Sequence, residues 1–172
     1  MAAYGREISY YTIVPDAFVV GANTTATMNF TYSNPYWNAS RYDGVQRHQF
    51  PVIVDSSTAL SVLPEPVVRE FARQVGRPVR RSHGYYWAHC DAALPRFGVV
   101  VGGKTFYFAN ADLIQQDVTG EFDESGTNVT YCALGLVDSV PDGPFVLGDT
   151  FLNSVVSVFD IGASEMRFYA RK

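Results

Sequence analysis

Phe-Pro-Val-Ile-Val-Asp-Ser-Ser-Thr-Ala-Leu-Ser-Val-Leu-Pro, residues 50–64, is the stretch that decides the fold. Its apolar, β-branched first part ends abruptly at Asp55 and three hydroxyl residues, which predicts a buried strand that carries an acid at its end. Neighbouring hydroxyls and backbone N–H groups can hydrogen-bond such a carboxylate, and those bonds favour its ionised form. Taken alone, this local pattern favours a structural turn in which Asp55 bonds its own neighbouring amides.

A second apolar strand with a related ending lies near the C-terminus. Residues 144–153, Pro-Phe-Val-Leu-Gly-Asp-Thr-Phe-Leu-Asn, predict a strand that stops at Gly148 and a short helix from Asp149 to Asn153. A longer helix is predicted over residues 64–76, where prolines suit the first turn, apolar residues recur at helical spacing and a glycine follows. Two strands of similar character are therefore each followed by a helix.

The rest of the chain is typical of a mainly β protein. Residues 97–108 predict a hairpin whose central Gly-Gly can adopt the positive φ values of a two-residue turn, and residues 8–20 and 155–170 each predict two strands around a turn. A phosphate-binding loop is rejected for Gly-Gly-Lys-Thr at residues 102–105, because the spacing is wrong and no helix follows. Arg80-Arg81 predicts a solvated turn, and residues 123–126 predict a polar loop.

Composition excludes several classes of protein. The 172 residues are 47% hydrophobic and 17% charged, so the chain is predicted to fold as a single domain, residues 1–172, rather than to be disordered. A net charge of −4 without a basic run argues against nucleic acid as a partner, and no apolar run approaches the length of a membrane span. Neither the two cysteines nor the three histidines have metal-ligand spacing, so no metal and no other cofactor is predicted.

Two features point to an extracellular, secreted protein. Four of the seven asparagines stand in the Asn-x-Ser/Thr pattern of N-glycosylation: Asn23, Asn29, Asn38 and Asn128. The chain has 23 Ser and Thr residues, and that content would produce fewer such patterns by chance. Cys90 and Cys132 are either two buried thiols or a disulfide. A disulfide between them would stabilise the fold by roughly 4 kcal/mol in the chain-entropy model. The first residues lack the apolar run of a secretory signal, so we expect part of a longer precursor or a truncated gene.

Taken in order, the strand ending in Asp-Ser-Ser-Thr, the helix after it and the later Val-Leu-Gly-Asp strand resemble one lobe of the pepsin-like aspartic peptidases. In that family an Asp-Thr/Ser-Gly-Thr/Ser turn precedes a helix, and a hydrophobic-hydrophobic-Gly strand later crosses beneath the turn. The ending at residues 158–169 also resembles the C-terminal lobe, of a secreted fungal type. The resemblance implies closed or orthogonally packed antiparallel sheets with one or two short helices, and a disulfide between Cys90 and Cys132.

The resemblance also implies roles for individual residues. Asp55 matches the catalytic aspartate of the lobe, Ser56 a hydroxyl that braces the two lobes, and Thr58 the hydroxyl that bonds the outer oxygen of the aspartate. Gly148 matches the glycine of the crossing strand. Ser57 departs from the family, because its position is normally glycine, and the extra side chain either is tolerated or displaces Asp55.

Peptide hydrolysis in this family uses two carboxylates that share a proton across a bound water. The chain has one Asp-Ser-Ser-Thr turn, so the resemblance implies that the N-terminal lobe, with the second aspartate, is missing. We therefore expect the isolated chain to lack peptidase activity on peptide or protein substrates. A two-fold homodimer that pairs two copies of Asp55 is a less favoured alternative, because the lobe has no evident flap of its own.

Two other function classes stay open. A secreted pepsin-fold binding protein that has lost catalysis is the main alternative, and Ser57 is its sequence evidence. A carbohydrate-binding β sandwich would explain the aromatic residues but not the two strands that end in Asp-Ser-Ser-Thr and Gly-Asp. Aromatic residues in a β protein more often fill the core.

Overall fold

The computed structural model describes residues 11–21, 27–28, 51–124, 127–140 and 144–171. This part of the chain is mainly β, as predicted. The strands are β1 (Thr12–Ile13), β2 (Ala17–Val20), β3 (Thr27–Met28), β4 (Val52–Val54), β5 (Ser61–Leu63), β6 (Arg80–Ser82), β7 (Tyr85–His89), β8 (Phe97–Val101), β9 (Lys104–Tyr107), β10 (Ile114–Glu124), β11 (Thr127–Leu134), β12 (Leu136–Asp138), β13 (Phe145–Leu147), β14 (Val155–Asp160) and β15 (Glu165–Ala170). The helices are α1 (Glu65–Gln74), α2 (Asn110–Leu113) and α3 (Asp149–Leu152).

A five-stranded sheet in the order β1-β4-β13-β5-β12 positions the candidate site. The late strand β13 inserts between β4 and β5, parallel to β4 and antiparallel to β5, and β12 lies parallel to β5. This sheet therefore mixes parallel and antiparallel neighbours, while the fold is otherwise the mainly antiparallel one that was expected. Parallel neighbours need a long connection, and the many residues between β4 and β13 provide one.

Antiparallel pairing holds in the other sheets. Two have four strands, in the orders β10-β11-β7-β6 and β3-β2-β8-β9, and β14 pairs with β15. The β8–β9 hairpin turns at Gly102 and Gly103, whose φ values of 57° and 75° are the positive values predicted for this turn. The β14–β15 hairpin also lies where the sequence predicted it.

Helix α1 begins after Pro64 and presents Val67, Val68 and Phe71 to the core, where all three are fully buried. A chain of aromatic contacts continues from it. Phe71 meets Phe97 with ring centroids 5.7 Å apart, and further ring contacts run through Phe108 and Phe151 to Phe168. These rings join α1, the β8–β9 hairpin, α3 and β15 in one core, as expected for aromatic residues in a β protein.

A disulfide joins Cys90 and Cys132, with Cα atoms 4.9 Å apart, which resolves the open choice between two thiols and a bridge. It connects the end of β7 to β11. Because β7 and β11 are also paired through backbone hydrogen bonds, the bridge reinforces contacts within one sheet.

Three local expectations are wrong or incomplete. Arg80 and Arg81 belong to β6, where Arg81 pairs with the buried carboxylate of Asp138, so they do not form a solvated turn. Asp123 and Glu124 are the last residues of β10 rather than loop residues, because β10 and β11 form a long hairpin. Helix α2 was not predicted, since its four residues are too few to show a periodicity.

Candidate active site

Asp55 directly follows β4, at the edge of the five-stranded sheet where β13 also ends. Its backbone N–H donates to the carbonyl of Leu147 at 3.1 Å, so the backbone of the acid is held by β13. The preceding residue, Val54, is buried, whereas Asp55 is half-buried and Ser56 and Ser57 are exposed. A rigid, buried strand therefore presents the carboxylate at the surface.

Three hydrogen bonds hold the carboxylate of Asp55. The backbone N–H of Ser57 donates to Oδ1 at 2.9 Å and the Ser57 hydroxyl donates to the same oxygen at 2.8 Å. The Thr58 hydroxyl donates to Oδ2 at 2.8 Å. Both oxygens are thus fixed by their own turn, as the sequence pattern suggested.

The same bonds lower the pKa of Asp55 below its ordinary value of 3.8. The backbone bond from Ser57 contributes most, followed by the hydroxyls of Ser57 and Thr58, while partial burial acts weakly in the opposite direction. Donors that point at a carboxylate stabilise its charged form. The hydrogen bonds of the turn therefore favour the ionised form of Asp55.

Ser57 is accommodated without the backbone strain that its departure from glycine suggested. Among the described residues, the non-glycine positions with positive φ are His83 and Ser164, so Ser57 has an ordinary backbone conformation. Its hydroxyl donates a hydrogen bond to Asp55 Oδ1. Sequence reasoning had left displacement of Asp55 open, and the local geometry shows a hydrogen-bonded turn.

Gly148 lies beneath this turn, at the point where β13 gives way to α3. A Cβ on Gly148 would fall 2.2 Å from the carbonyl oxygen of Thr58 and 2.4 Å from that of Leu60. The next two residues continue the contact, because the N–H of Asp149 donates to Thr58 O at 2.8 Å and that of Thr150 to Ala59 O at 3.2 Å. The two strand endings that the sequence singled out are thus in direct contact.

Two buried hydroxyl residues tie these segments together, and sequence reasoning missed them. The Oγ of Ser61 and the Oγ1 of Thr150 lie 2.7 Å apart, and Ser61 Oγ also accepts the N–H of Gly148 at 3.2 Å. Both side chains are essentially inaccessible to solvent. The signal that could have found them is a hydroxyl residue inside an otherwise apolar strand or helix next to each motif.

A cavity of about 540 Å³ opens beside Thr58. Its floor is largely apolar, and the Arg81–Asp138 ion pair forms one side, with the Asp138 side chain only 7% exposed. The cavity adjoins the Asp55 turn through Thr58, and its size can accommodate a side chain of an extended peptide. Its lining residues include Leu60, Val62, His83, Tyr85, Val137 and Val140.

The other predicted site residues do not take part in the contacts around Asp55 and Gly148. Ser56 is exposed beside Asp55 and stays a predicted brace. Asn23, Asn29 and Asn38 lie outside the described residues, and Asn128 is in β11, opposite Asp123.

In the part of the chain that the structure describes, no cluster of three or more acidic, His or Cys side chains could hold a metal ion. No helix there is long and apolar enough to cross a membrane.

Comparison with known proteins identifies relatives of this chain. The family model described as eukaryotic aspartyl protease matches residues 16–170. A protein of Aspergillus fumigatus described as a probable aspartic-type endopeptidase is 40% identical over 120 residues, which are 69% of this chain and 27% of the relative. Penicillopepsin-1 of Talaromyces stipitatus is 31% identical over 123 residues, 71% of this chain and 29% of its own length.

Gastricsin of Rattus norvegicus, an animal relative, is 29% identical over 122 residues, 66% of this chain and 28% of its own length. The matched stretch thus spans less than a third of each of these relatives. The family match, in contrast, covers nearly the whole chain and includes Asp55, its hydroxyl neighbours and the Gly148 crossing. The chain belongs to the eukaryotic aspartyl protease family.

Proposed function

We propose that this chain is the C-terminal lobe of a secreted acid endopeptidase and supplies one of two catalytic aspartates, Asp55. The observation that carries this proposal is the Asp55 carboxylate, which is held by three short hydrogen bonds and presented at the end of a rigid strand. A site built on a strand and braced by hydrogen bonds can keep a reacting group in place. The substrates are peptides or proteins, bound along a cleft that includes the cavity beside Thr58.

The proposed reaction needs a second carboxylic acid. One carboxylate takes a proton from a bound water, whose oxygen attacks the scissile carbonyl carbon, while the protonated acid gives its proton to the carbonyl oxygen. The resulting diol then collapses: the C–N bond breaks, the first acid gives its proton to the leaving amine, and a diol hydroxyl returns a proton to the second acid. The acid on the wall of the neighbouring cavity, Asp138, is paired with Arg81 and therefore unsuited to this role. We assign the second acid to another lobe of the protein, and we expect this chain alone to be inactive.

The β14–β15 hairpin supports the proposal of a partner lobe. Within the described residues it forms a sheet of its own, without a third strand. Its outer face exposes apolar side chains to solvent. A contiguous apolar patch of this kind marks a surface that a partner covers. We place the missing lobe against this face, whose exposed apolar members are Val156, Val158 and Tyr169.

Secretion and glycosylation belong to the same proposal. The Cys90–Cys132 disulfide is typical of proteins that mature in an oxidising compartment. The four Asn-x-Ser/Thr patterns point the same way. Digestion of the protein expressed in yeast with an N-glycosidase should lower its mass if Asn23, Asn29, Asn38 or Asn128 carries a glycan.

Cleavage assays test the central proposal. We would join the N-terminal part of the Aspergillus fumigatus relative to this chain and assay both the joined protein and the isolated chain at acid pH on a denatured protein substrate. We expect cleavage by the joined protein, inhibition by a statine-type inhibitor and loss of cleavage in Asp55→Asn. We expect none from the isolated chain.

Two results would count against the proposal. A joined protein that unfolds cooperatively but does not cleave would overturn the catalytic role. Inhibitor-sensitive cleavage by the isolated chain, abolished by Asp55→Asn, would overturn the need for a second lobe and favour a homodimer. A folded joined protein without cleavage would instead favour the alternative of a pepsin-fold binding protein that has lost catalysis.

A further inference from the structure

The Ser57 side chain adds a donor that a glycine at this position would lack. Ser57 gives Asp55 Oδ1 two hydrogen bonds, one from its backbone N–H and one from its hydroxyl. A glycine would keep the first bond and lose the second. The chain therefore carries one more hydrogen bond on the carboxylate than the glycine of the family pattern would allow.

The additional bond from Ser57 limits where a proton can bind on the Asp55 carboxylate, because a carboxylate has few acceptor sites. An ionised carboxylate offers about four lone-pair sites, two on each oxygen. Ser57 occupies both sites of Oδ1, and Thr58 occupies one site of Oδ2. A proton on Oδ1 would have to displace a donor, so the remaining acceptor site lies on Oδ2.

We propose that Ser57 is a positioning residue that makes Asp55 the ionised member of the acid pair, the base that removes a proton from the attacking water. The proton shared by the pair then resides on the acid of the other lobe, which delivers it to the carbonyl oxygen. This assignment of roles rests on the proposed function. The coupling between Ser57 and Asp55 does not, because both residues belong to this chain.

Charged groups on the neighbouring elements do not account for the lowered pKa of Asp55. Asp149 begins α3 beneath the turn, and Arg81, His83 and Asp138 line the cavity beside Thr58. The lowered pKa of Asp55 arises from the hydrogen bonds of Ser57 and Thr58, opposed by partial burial. Removal of the Ser57 hydroxyl should therefore act directly on Asp55.

Titration of the Asp55 carboxyl by carbon-13 NMR in the 172-residue chain tests the coupling. In Ser57→Ala and Ser57→Gly we expect the midpoint to move to higher pH than in the unmodified chain. Ser57→Thr keeps a hydroxyl and should restore the original midpoint. Ser56→Ala removes the other exposed hydroxyl next to Asp55 and serves as the matched control, with no expected shift.

An unchanged Asp55 midpoint in Ser57→Ala or Ser57→Gly, with an unfolding transition like that of the unmodified chain, would overturn the inference. A shift of equal size in Ser56→Ala would also overturn it, because the effect would then not belong to the Ser57 bond. The use of two replacements guards against a local rearrangement peculiar to one of them.

The joined protein tests the role in the reaction. We expect Ser57→Ala to lower kcat by about two- to tenfold, as loss of one exposed hydrogen bond would, and to move the acidic limb of the kcat/KM profile to higher pH. An active joined protein whose acidic limb stays in place in Ser57→Ala would overturn the assignment of Asp55 as the base. A joined protein that unfolds cooperatively but has no activity would refute the proposed function, while the titration would still report on the coupling.

Discussion

Gly148 lies directly beneath Thr58, so close that a Cβ on Gly148 would fall 2.2 Å from the Thr58 carbonyl oxygen. Real Cβ atoms are not found at such distances from backbone oxygens. The same backbone oxygen accepts a hydrogen bond from the N–H of Asp149. Absence of a side chain at residue 148 is thus what lets β13 and α3 pack against the turn that holds Asp55.

Gly148→Ala should destabilise the protein by about 2–3 kcal/mol, because the new methyl group would overlap two backbone oxygens that cannot move independently of the turn. Urea unfolding measures the change. Gly162→Ala is the matched control, since the nearest atom to its Cβ would be 3.7 Å away, and we expect a change within about 0.5 kcal/mol. Equal stabilities of the two variants would contradict the close packing at Gly148.

The buried hydroxyl pair of Ser61 and Thr150 predicts an asymmetry between two substitutions. Ser61→Ala leaves the N–H of Gly148 and the Thr150 hydroxyl without their partner and should cost about 1–3 kcal/mol. Thr150→Val keeps the shape and leaves Ser61 able to accept from Gly148, so it should cost less, about 0.5–1.5 kcal/mol. Thermal or urea unfolding distinguishes them, and a larger loss in Thr150→Val would contradict the network.

The Cys90–Cys132 bridge should contribute about 2–4 kcal/mol, because it restricts the unfolded chain over a sequence separation of 42 residues. The double variant Cys90→Ala/Cys132→Ala should therefore unfold at a clearly lower urea concentration. Addition of a reductant to the unmodified chain should give a similar midpoint. No effect in either experiment would show that pairing of β7 with β11 suffices without the bond.

We expect Glu70 on α1 to make a pH-dependent contribution to the free energy of unfolding. Arg73 donates two hydrogen bonds to it and Gln74 one, which lowers its pKa from 4.5 to about 2. A carboxyl whose pKa is lower in the folded state stabilises the fold above its unfolded pKa and loses that effect as the pH falls through the folded value. The contribution is therefore complete above about pH 4.5 and disappears near pH 2.

Glu70→Gln should cost about 0.5–1 kcal/mol at pH 7, a small value because the partner Arg73 is 70% exposed and solvent screens the pair. The difference from the unmodified chain should shrink as the pH is lowered toward 2. Urea unfolding at pH 7, 4 and 2.5 measures it. A difference that is the same at all three pH values would rule out the ionised carboxylate as its source.

Sequence reasoning was most successful where the signal is local. The acid at the end of an apolar strand, the helix after Pro64, the Gly-Gly turn and the terminal hairpin depend on residues a few positions apart, and all are found in the structure. It failed for Arg80 and Arg81, which look like a solvated turn until Asp138 is placed beside them. It also missed α2, which is too short for a periodicity.

The sequence by itself determined the fold class, the family resemblance and the position of Asp55, because strand and turn preferences and motif order are properties of neighbouring residues. Only the tertiary structure decided that β13 enters between β4 and β5 and that Ser61 meets Thr150. Contacts across 89 residues depend on how the whole core packs, and no local preference specifies them.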